Sequence, residues 1–372
     1  MTLQLHVTLD QMWRLRHEST RKSGAFVEFT HTSFSTSPDR YKAKAMKIWF
    51  LSALVLVCRC RGASPCPDLC KCHMTEVVCN DVPLTQFPSE GMPGTTTSLT
   101  IQFTNISSIS ELHLGATPLL QELYLYNNIL TSLPADLFRG VPLLSTVALS
   151  DNKLDRLPAN VFGHAPLKTL VLKNNLIDRV NADWLSDNSN LTWLDLSGNR
   201  LTAVPAALLQ KLRCLENLDL SHNRLEKIQP NSLGPLIRLE RLNLEGNKLS
   251  TLDPSTFSSN VNLTHLFLLA NRLEQLPSTL FQGLANLQHL SLDNNRLRCI
   301  SPGLLDPLHS IAEEGLDITG NPWMCDKKVE YLWRWLQKNL KKMFMANNLR
   351  CASPDSLKER PVMSLTDSDI GL

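Results

Sequence analysis

The sequence lacks long hydrophobic runs, a strong net charge and the short motifs of several enzyme classes. Its longest apolar run, residues 48–57, has ten residues, about half of what a membrane-spanning helix needs. Lys and Arg number 37 against 35 Asp and Glu, which argues against a dedicated nucleic-acid binder. A glycine-rich phosphate loop, His-Glu-x-x-His and Gly-x-Ser-x-Gly are all missing. We therefore expect neither a membrane span nor an enzyme.

The amino-terminal segment is typical of a secretory signal. Met46 and Lys47 precede the apolar run, and small residues follow it. We expect a signal peptide at residues 46–62 and a non-structural extension at 1–45, where acidic residues argue against a transit peptide. These two segments hold 10 Lys and Arg and 4 Asp and Glu, so their removal leaves 27 against 31. The expected mature chain is mildly acidic.

The cysteines cluster at both ends of that mature chain. Exported proteins use such clusters as disulfide-stapled caps, although spacing alone does not fix the pairing of the first four. A zinc site is the alternative for the amino-terminal cluster, but no histidine pair accompanies it. The clustered residues are Cys66, Cys70, Cys72 and Cys79 at one end and Cys325 and Cys351 at the other. We expect the last two to pair.

A 24-residue repeat fills the middle of the chain. Leu-x-x-Leu-x-Leu-x-x-Asn-x-Leu recurs with this spacing, shortened once to 23 residues. The two leucines of Leu-x-Leu lie on one side of a strand, so stacked parallel strands about 4.8 Å apart bury them in one core. We predict an α/β repeat solenoid, a curved horseshoe with about ten parallel concave strands. Its asparagines should link neighbouring turns: Asn128, Asn152, Asn175, Asn199, Asn223, Asn247, Asn271 and Asn295.

The convex side of this solenoid should consist of short turns and 3₁₀ pieces. Prolines after several of the asparagines, such as Pro134 and Pro205, exclude long helices there. A large apolar residue ten positions after each asparagine should fill the convex half of the core. These residues are Phe138, Phe162, Leu185, Leu209, Leu233, Phe257, Phe281 and Leu305.

We expect three structural parts: a cysteine-rich cap at 63–95, leucine-rich repeats at 96–320 and a carboxy-terminal cap with a helix at 321–372. A helix in the last part follows from an apolar face at helical spacing, formed by Val329, Leu332, Trp333, Leu336 and Leu340. Cys214 and Cys299 lie in repeats three apart, about 14 Å along the sheet. They are too distant to pair with each other.

The repeat period, the cysteine-rich start and the Asn-Pro-Trp-x-Cys motif that ends at Cys325 resemble an extracellular leucine-rich repeat protein. The resemblance covers residues 64 to about 365. Such caps usually carry four carboxy-terminal cysteines, whereas Lys327 stands two positions after Cys325 and the second bridge is absent as a pair. Within the family, a plasma glycoprotein is most similar at residues 242–249, 315–326, 334–337, 342–344 and 350–352.

That resemblance implies a secreted plasma glycoprotein that modulates transforming growth factor beta signalling in vessel growth or inflammation. It also implies binding of cytochrome c. Composition and spacing indicate neither of these partners. From the residues alone we expect a non-catalytic monomer that binds an extracellular protein and needs no cofactor. The alternatives are a regulatory subunit that protects a plasma enzyme and a shed receptor ectodomain.

The concave face offers candidate binding residues, because the repeat register places alternate strand residues in solvent. Four aromatic residues in these positions are candidate contact anchors, since interfaces are enriched in aromatics. Five acidic residues should form an acidic column on an open surface, and three of them, Asp195, Asp219 and Glu245, should favour a basic partner. The anchors are Tyr124, Tyr126, Trp193 and Phe267, and the acidic column is Asp195, Asp219, Glu245, Asp293 and Asp317.

Two further features concern this exposed surface. His265 and His289 share one register position in adjacent repeats, but no third metal ligand accompanies them, so we expect solvated histidines and no metal. The sequons at Asn105, Asn190 and Asn262 are candidate glycosylation sites in a secreted chain.

Overall fold

The computed structural model describes residues 66–187 and 189–371, which belong to one compact unit, Arg61–Leu372. The predicted extension at 1–45 and signal peptide at 46–62 lie outside the described residues. Among the helices of the described ranges, none is long and apolar enough to cross a membrane.

Twelve short strands form one sheet in chain order, which confirms the predicted solenoid. β1 pairs with β2 antiparallel, and every later neighbouring pair is parallel. The ten strands β3–β12 start at Ser98 and follow the predicted repeats. The strands are β1 (Lys71–His73), β2 (Glu76–Asn80), β3 (Ser98–Gln102), β4 (Glu122–Tyr124), β5 (Thr146–Ala148), β6 (Thr169–Val171), β7 (Trp193–Asp195), β8 (Asn217–Asp219), β9 (Arg241–Asn243), β10 (His265–Phe267), β11 (His289–Ser291) and β12 (Leu316–Asp317).

The core lies between this sheet and the convex turns. Leu218 and Leu220 of one Leu-x-Leu unit are 1% and 0% exposed, and the predicted convex positions from Phe138 to Leu305 are all buried. The segments opposite the sheet are mostly turns. They include the 3₁₀ turn Ala182–Trp184 and the short helix α2 (Ala206–Leu209), which follows Pro205; α1 (Glu111–Gly115) lies between β3 and β4. No repeat can bury its leucines alone, so each repeat depends on its neighbours.

The asparagines join consecutive repeats through their side chains, as predicted. Asn199 Nδ2 donates to the carbonyl oxygens of Leu172, Leu196 and Ser197 at 2.9–3.1 Å. Its Oδ1 accepts from the Ile177 amide at 3.0 Å. Asn223 repeats this pattern one repeat further on. Each buried amide thus bonds backbone groups of its own turn and of the preceding repeat, and the Leu172 and Leu196 carbonyls each accept from two asparagines of the series.

The residue before each of these asparagines adopts a left-handed backbone. Its φ lies between 51° and 65° throughout the series Asn127, Asp151, Asn174, Gly198, His222, Gly246, Ala270, Asn294 and Gly320. Only Gly adopts this region without cost, and Asn and Asp tolerate it. At Gly198 a Cβ would also lie 2.0 Å from Asn174 Oδ1. The turn out of each strand therefore selects these residue types, and His222 and Ala270 are the two exceptions in the series.

The amino-terminal cap covers the first repeat with a disulfide-bonded hairpin. Disulfides join Cys66 to Cys72 and Cys70 to Cys79, a pairing that the spacing had left open. β2 continues the parallel sheet by pairing with β3, with Val77 opposite Leu99. The cap thus adds a strand to the start of the parallel sheet and covers the leucines of the first repeat.

The carboxy-terminal cap covers the last repeat with α3 (Glu330–Asn339) and a two-stranded sheet, β13 (Trp323–Met324) with β14 (Cys351–Ser353). A Cys325–Cys351 disulfide joins the two ends of this cap. Val329, Leu332, Trp333 and Leu336 are buried as expected. Leu340 is not, because the helix ends at Asn339 and the chain tightens into a 3₁₀ turn that leaves Leu340 47% exposed. Trp335, 9% exposed, is buried in addition.

Ala270→Gly should stabilise the protein. The substitution removes the steric cost of a Cβ at φ 53°, and we expect a gain of about 0.5–1 kcal/mol after the entropy of the unfolded glycine is offset. Gly198→Ala is the matched opposite change and should lower the free energy of unfolding by about 1–2 kcal/mol or more. Chemical denaturation of both variants checks this. Equal effects of the two changes would contradict the role of the turn.

Candidate functional site: the concave face

Adjacent strands place equivalent residues side by side on the concave face. One column runs through Trp193, Asn217, Arg241, His265 and His289, which are direct partners in the register of β7–β11. A second column lies two residues further along each strand and contains Asp195, Asp219, Asn243, Phe267 and Ser291. The side chains of these columns form the floor of the concave surface.

A cluster at β9–β11 combines arginine, aromatic and imidazole groups. The Arg241 guanidinium lies 4.5 Å from the centre of the Phe267 ring, and the His265 ring stacks on His289 at 4.6 Å between centroids. His265 also lies 6.3 Å from Phe267. Arg241 Nε is buried without a hydrogen-bond partner within the described part of the chain. We call Arg241, His265, Phe267 and His289 the arginine–aromatic cluster.

The predicted anchors do not form one patch. Tyr124 and Tyr126 contact each other edge to face at 6.3 Å, and burial together with Glu122 raises the pKa of Tyr124 above its usual value. Trp193 lies three strands further on and Phe267 three strands beyond Trp193, about 14 Å each time. All four rings are half-buried rather than open. The sheet therefore offers three separate aromatic contact points.

The sequence argument missed Arg241. Its neighbours in the register are Asn217 and His265, so the repeat alignment alone would have placed it beside the histidines. Arginine and aromatic residues that are already partly desolvated are frequent hot spots in protein interfaces. Arg241 therefore joins Phe267 as a candidate contact residue.

The prediction of an open acidic column is wrong for three of its five members, among them Asp293, which is 8% exposed. Asp195 and Asp219 are only 6% and 5% exposed, because their carboxylates turn back to the sheet. Asp195 Oδ1 accepts from the Ser197 amide and Asp219 Oδ1 from the Ser221 amide, each at 2.8 Å. Glu245, with 25% of its side chain exposed, lies 3.6 Å from His222 Nε2. Glu245 and Asp317 are the members of the predicted column that stay partly exposed and can attract a basic partner.

Burial shifts the pKa values of the ionisable side chains on the floor of the concave face. Desolvation and the neighbouring Asp219 carboxylate raise the pKa of Asp195 well above its usual value, because a buried charge and a like charge both disfavour ionisation. Burial, Arg241 and His289 lower the pKa of His265 to about 4, and burial and Arg241 lower the pKa of His289. Both imidazoles are therefore neutral at pH 7.4. Within the described residues no group of three potential metal ligands occurs.

The three sequon asparagines lie at the surface. Asn105 follows β3, Asn190 precedes β7 and Asn262 precedes β10, and all three side chains are exposed. Asn262 Nδ2 donates to the Ile237 carbonyl at 2.9 Å, a bond that a glycosylated amide can keep with its remaining hydrogen. Glycan attachment at these positions is sterically compatible with the fold.

The family is defined by comparison with known proteins. The leucine rich repeat model matches overlapping segments that together span residues 95–322, which is more than half of the chain. A leucine rich repeat C-terminal domain matches residues 348–369. The chain belongs to the leucine-rich repeat family. Such chains are typically non-catalytic binding proteins.

Individual relatives match only short stretches. The chain is 44% identical over 73 residues to a phospholipase A2 inhibitor beta of Elaphe climacophora and 41% identical over 76 residues to a phospholipase A2 inhibitor of Gloydius brevicaudus siniticus. Each match spans 20% of this chain and 22% of the inhibitor. Human platelet glycoprotein IX is 37% identical over 72 residues, 19% of this chain and 38% of that protein.

A solved structure supports the fold over most of the chain. A chain from the octameric complex of Latrophilin 3, Unc5D and FLRT2 superposes with a TM-score of 0.55 and 24% identity. The superposition covers 82% of this chain and 99% of that chain. At this identity the likeness concerns the fold alone.

Asp195→Asn should stabilise the protein at neutral pH. Because the folded-state pKa of Asp195 is raised, the native state binds more protons than the unfolded state from about pH 4 towards neutrality, and stability falls as pH rises through this range. The variant removes this loss, so its advantage in melting temperature should be largest near pH 7.4 and vanish near pH 4. The exposed Asp178→Asn is the control and should change the melting temperature at neither pH.

Glycosidase treatment of the protein secreted by animal cells should lower its apparent mass. Asn→Gln at residues 105, 190 and 262 together should abolish that shift, because the exposed sequons are the attachment points. Mass spectrometry of the three single variants assigns each site. An unchanged mass of the wild-type protein after treatment would contradict the assignment.

Proposed function

We propose that the protein is a secreted, monomeric, non-catalytic glycoprotein that binds a protein partner on its concave face. The observation that carries this proposal is the arginine–aromatic cluster on a continuous sheet. Arg241 stacks on Phe267, and its buried Nε has no acceptor among the described residues. A partner that places a carboxylate against the half-buried guanidinium and an apolar group on the ring would pair this charge and cover the stack at the same time.

Resemblance in the cap and in the repeat at residues 242–249 favours a relation to leucine-rich alpha-2-glycoprotein. We infer from it that the partner belongs to the transforming growth factor beta pathway and that the protein modulates vessel growth or inflammation. Cytochrome c is the second partner that this resemblance suggests. Glu245 is a partly exposed concave carboxylate that would attract a basic protein such as cytochrome c.

A second candidate function is inhibition or protection of an extracellular enzyme. The matches of 44% and 41% identity to two phospholipase A2 inhibitors favour it, although each spans only 22% of the inhibitor. A shed receptor ectodomain is the third candidate, and the shorter match to platelet glycoprotein IX favours it. All three candidates use the same chemistry, a rigid concave surface that binds another protein.

Phe267→Ala and Trp193→Ala should each weaken partner binding about tenfold or more, mainly through faster dissociation, because a contact anchor is lost. Surface plasmon resonance against transforming growth factor beta, its receptor ectodomains, cytochrome c and phospholipase A2 measures this. Ser291→Ala and Thr169→Ala are the controls, since they occupy the same columns one strand away. Neither control should change the rate constants more than about twofold.

Glu245→Lys separates a basic partner from the others. It should slow association with cytochrome c and reduce its salt dependence, because the exposed charge acts during encounter. Native kinetics for both alanine variants, with binding to any of the four probes retained, would contradict the concave site.

A further inference from the structure

A groove lies between the last repeats and the carboxy-terminal cap, on the side of the molecule away from the concave sheet. One wall is the turn region at residues 299–309, and the other is α3 with the 3₁₀ turns on either side of it. The groove encloses about 970 Å³, the upper part of the range for ligand sites. It contains none of the concave-face residues described above.

The floor of the groove is apolar. Ile300, Leu305 and Leu308 lie beneath it at 1–2% exposure, and Trp335, 9% exposed, is the one of the four that offers apolar surface to an occupant. α3 has ten residues, so this wall is about 15 Å long. An extended peptide of about five residues spans that length. The shape therefore suits an elongated occupant.

The rim of the groove is basic. Lys327, Lys328 and Lys338 are exposed at the rim and form no ion pair with any residue of the described ranges. The two acidic residues of the lining already have partners. Asp306 accepts from the Tyr331 hydroxyl at 2.8 Å, and Glu330 pairs with Arg334 at 2.9 Å. The groove is thus a positively charged site on a chain whose expected mature form is acidic.

Side-chain contacts hold the two walls together. Tyr331 Oη accepts from the Leu305 amide at 3.0 Å, and Lys342 Nζ donates to the carbonyl oxygens of Leu308 and His309 at 3.4 and 3.2 Å. Burial and the bond to Asp306 raise the pKa of Tyr331 to about 12, so its hydroxyl stays protonated. These bonds cross between the last repeat and the cap, so the groove is preformed and costs little ordering on binding.

We propose that this groove binds an acidic, amphipathic peptide segment of a protein partner, with an apolar side chain against Trp335 and carboxylates opposite Lys327, Lys328 and Lys338. The rim supplies the charge complementarity, and the length of α3 sets the extended shape. This second site is independent of the concave face, so either proposal can fail alone. The groove would let the protein hold one partner at its cap while the sheet remains open.

A labelled peptide, Glu-Leu-Glu-Phe-Glu-Leu, is the probe, and the same peptide with lysine for glutamate is its control. Fluorescence anisotropy on the full chain should show binding of the acidic peptide only. Lys338→Glu and, separately, Lys327→Glu should each weaken it about fivefold or more, as expected for reversal of a charge in contact. Lys341→Glu is the matched control, because Lys341 is exposed on the same cap but does not line the groove. Thermal melting of each variant verifies its fold.

A native thiol gives a second readout. Cys299 is free, half-exposed and lines the groove, whereas the free Cys214 lies before β8 and does not. The acidic peptide should slow iodoacetamide alkylation of Cys299 at least about threefold and leave Cys214 unchanged, as mass spectrometry reports. Equal binding of both peptides, no effect of Lys338→Glu and Lys327→Glu, or alkylation of both cysteines at native rates would overturn the proposal. Protection of Cys299 by oleate but not by the peptide would instead assign the groove to a fatty anion, and would also overturn it.

Discussion

The structure depends on the hydrogen bonds that each repeat asparagine makes to two consecutive turns. A parallel ladder of three-residue strands leaves many backbone groups unpaired where the chain leaves the sheet, and water cannot reach them once the leucines are packed. One amide per repeat meets this demand with three donor contacts and one acceptor contact, as at Asn199. The left-handed residue before it, at φ 64° for Gly198, aims the chain so that these bonds can form.

The binding surfaces follow from this constraint. Because the register is fixed from β3 to β12, side chains at equivalent positions stack in columns. Sequence differences between neighbouring repeats therefore place different functional groups side by side. Arg241, His265 and His289 become neighbours in this way although 24 residues separate each from the next. The cap groove arises differently, where the repeats end and an amphipathic helix covers the last leucines. Its basic rim comes from Lys338 of that helix and from Lys327 and Lys328 in the 3₁₀ turn before it.

The fold could be predicted from the sequence because its signal is periodic and local. The Leu-x-Leu spacing by itself places Leu218 and Leu220 on one face of a strand. The repeat period by itself places Asn223 at the turn that follows. The end of α3 was less predictable, since Leu340 fits helical spacing but begins the 3₁₀ turn that follows Asn339. The pairing of the first four cysteines depends on distances that spacing does not contain.

The candidate sites were predicted less well, for a physical reason. The register shows which residues face the solvent, but not which side chains turn back to the backbone. Asp195 and Asp219 occupy concave positions, yet their carboxylates bond the amides of Ser197 and Ser221 and are buried. The Arg241–Phe267 stack and the groove at Cys299 are contacts in three dimensions, and a linear pattern does not contain them.

Hydrogen–deuterium exchange of the free protein tests the central role of the asparagines most directly. The amides of Ile177, Leu201 and Leu225 lie in turns but donate to the Oδ1 atoms of Asn199, Asn223 and Asn247. We predict that they exchange as slowly as the buried strand amides of Leu194 and Leu218, and at similar rates from repeat to repeat, since opening them requires disruption of neighbouring repeats. Exchange of these amides as fast as that of exposed turns, while the strands stay protected, would contradict the account.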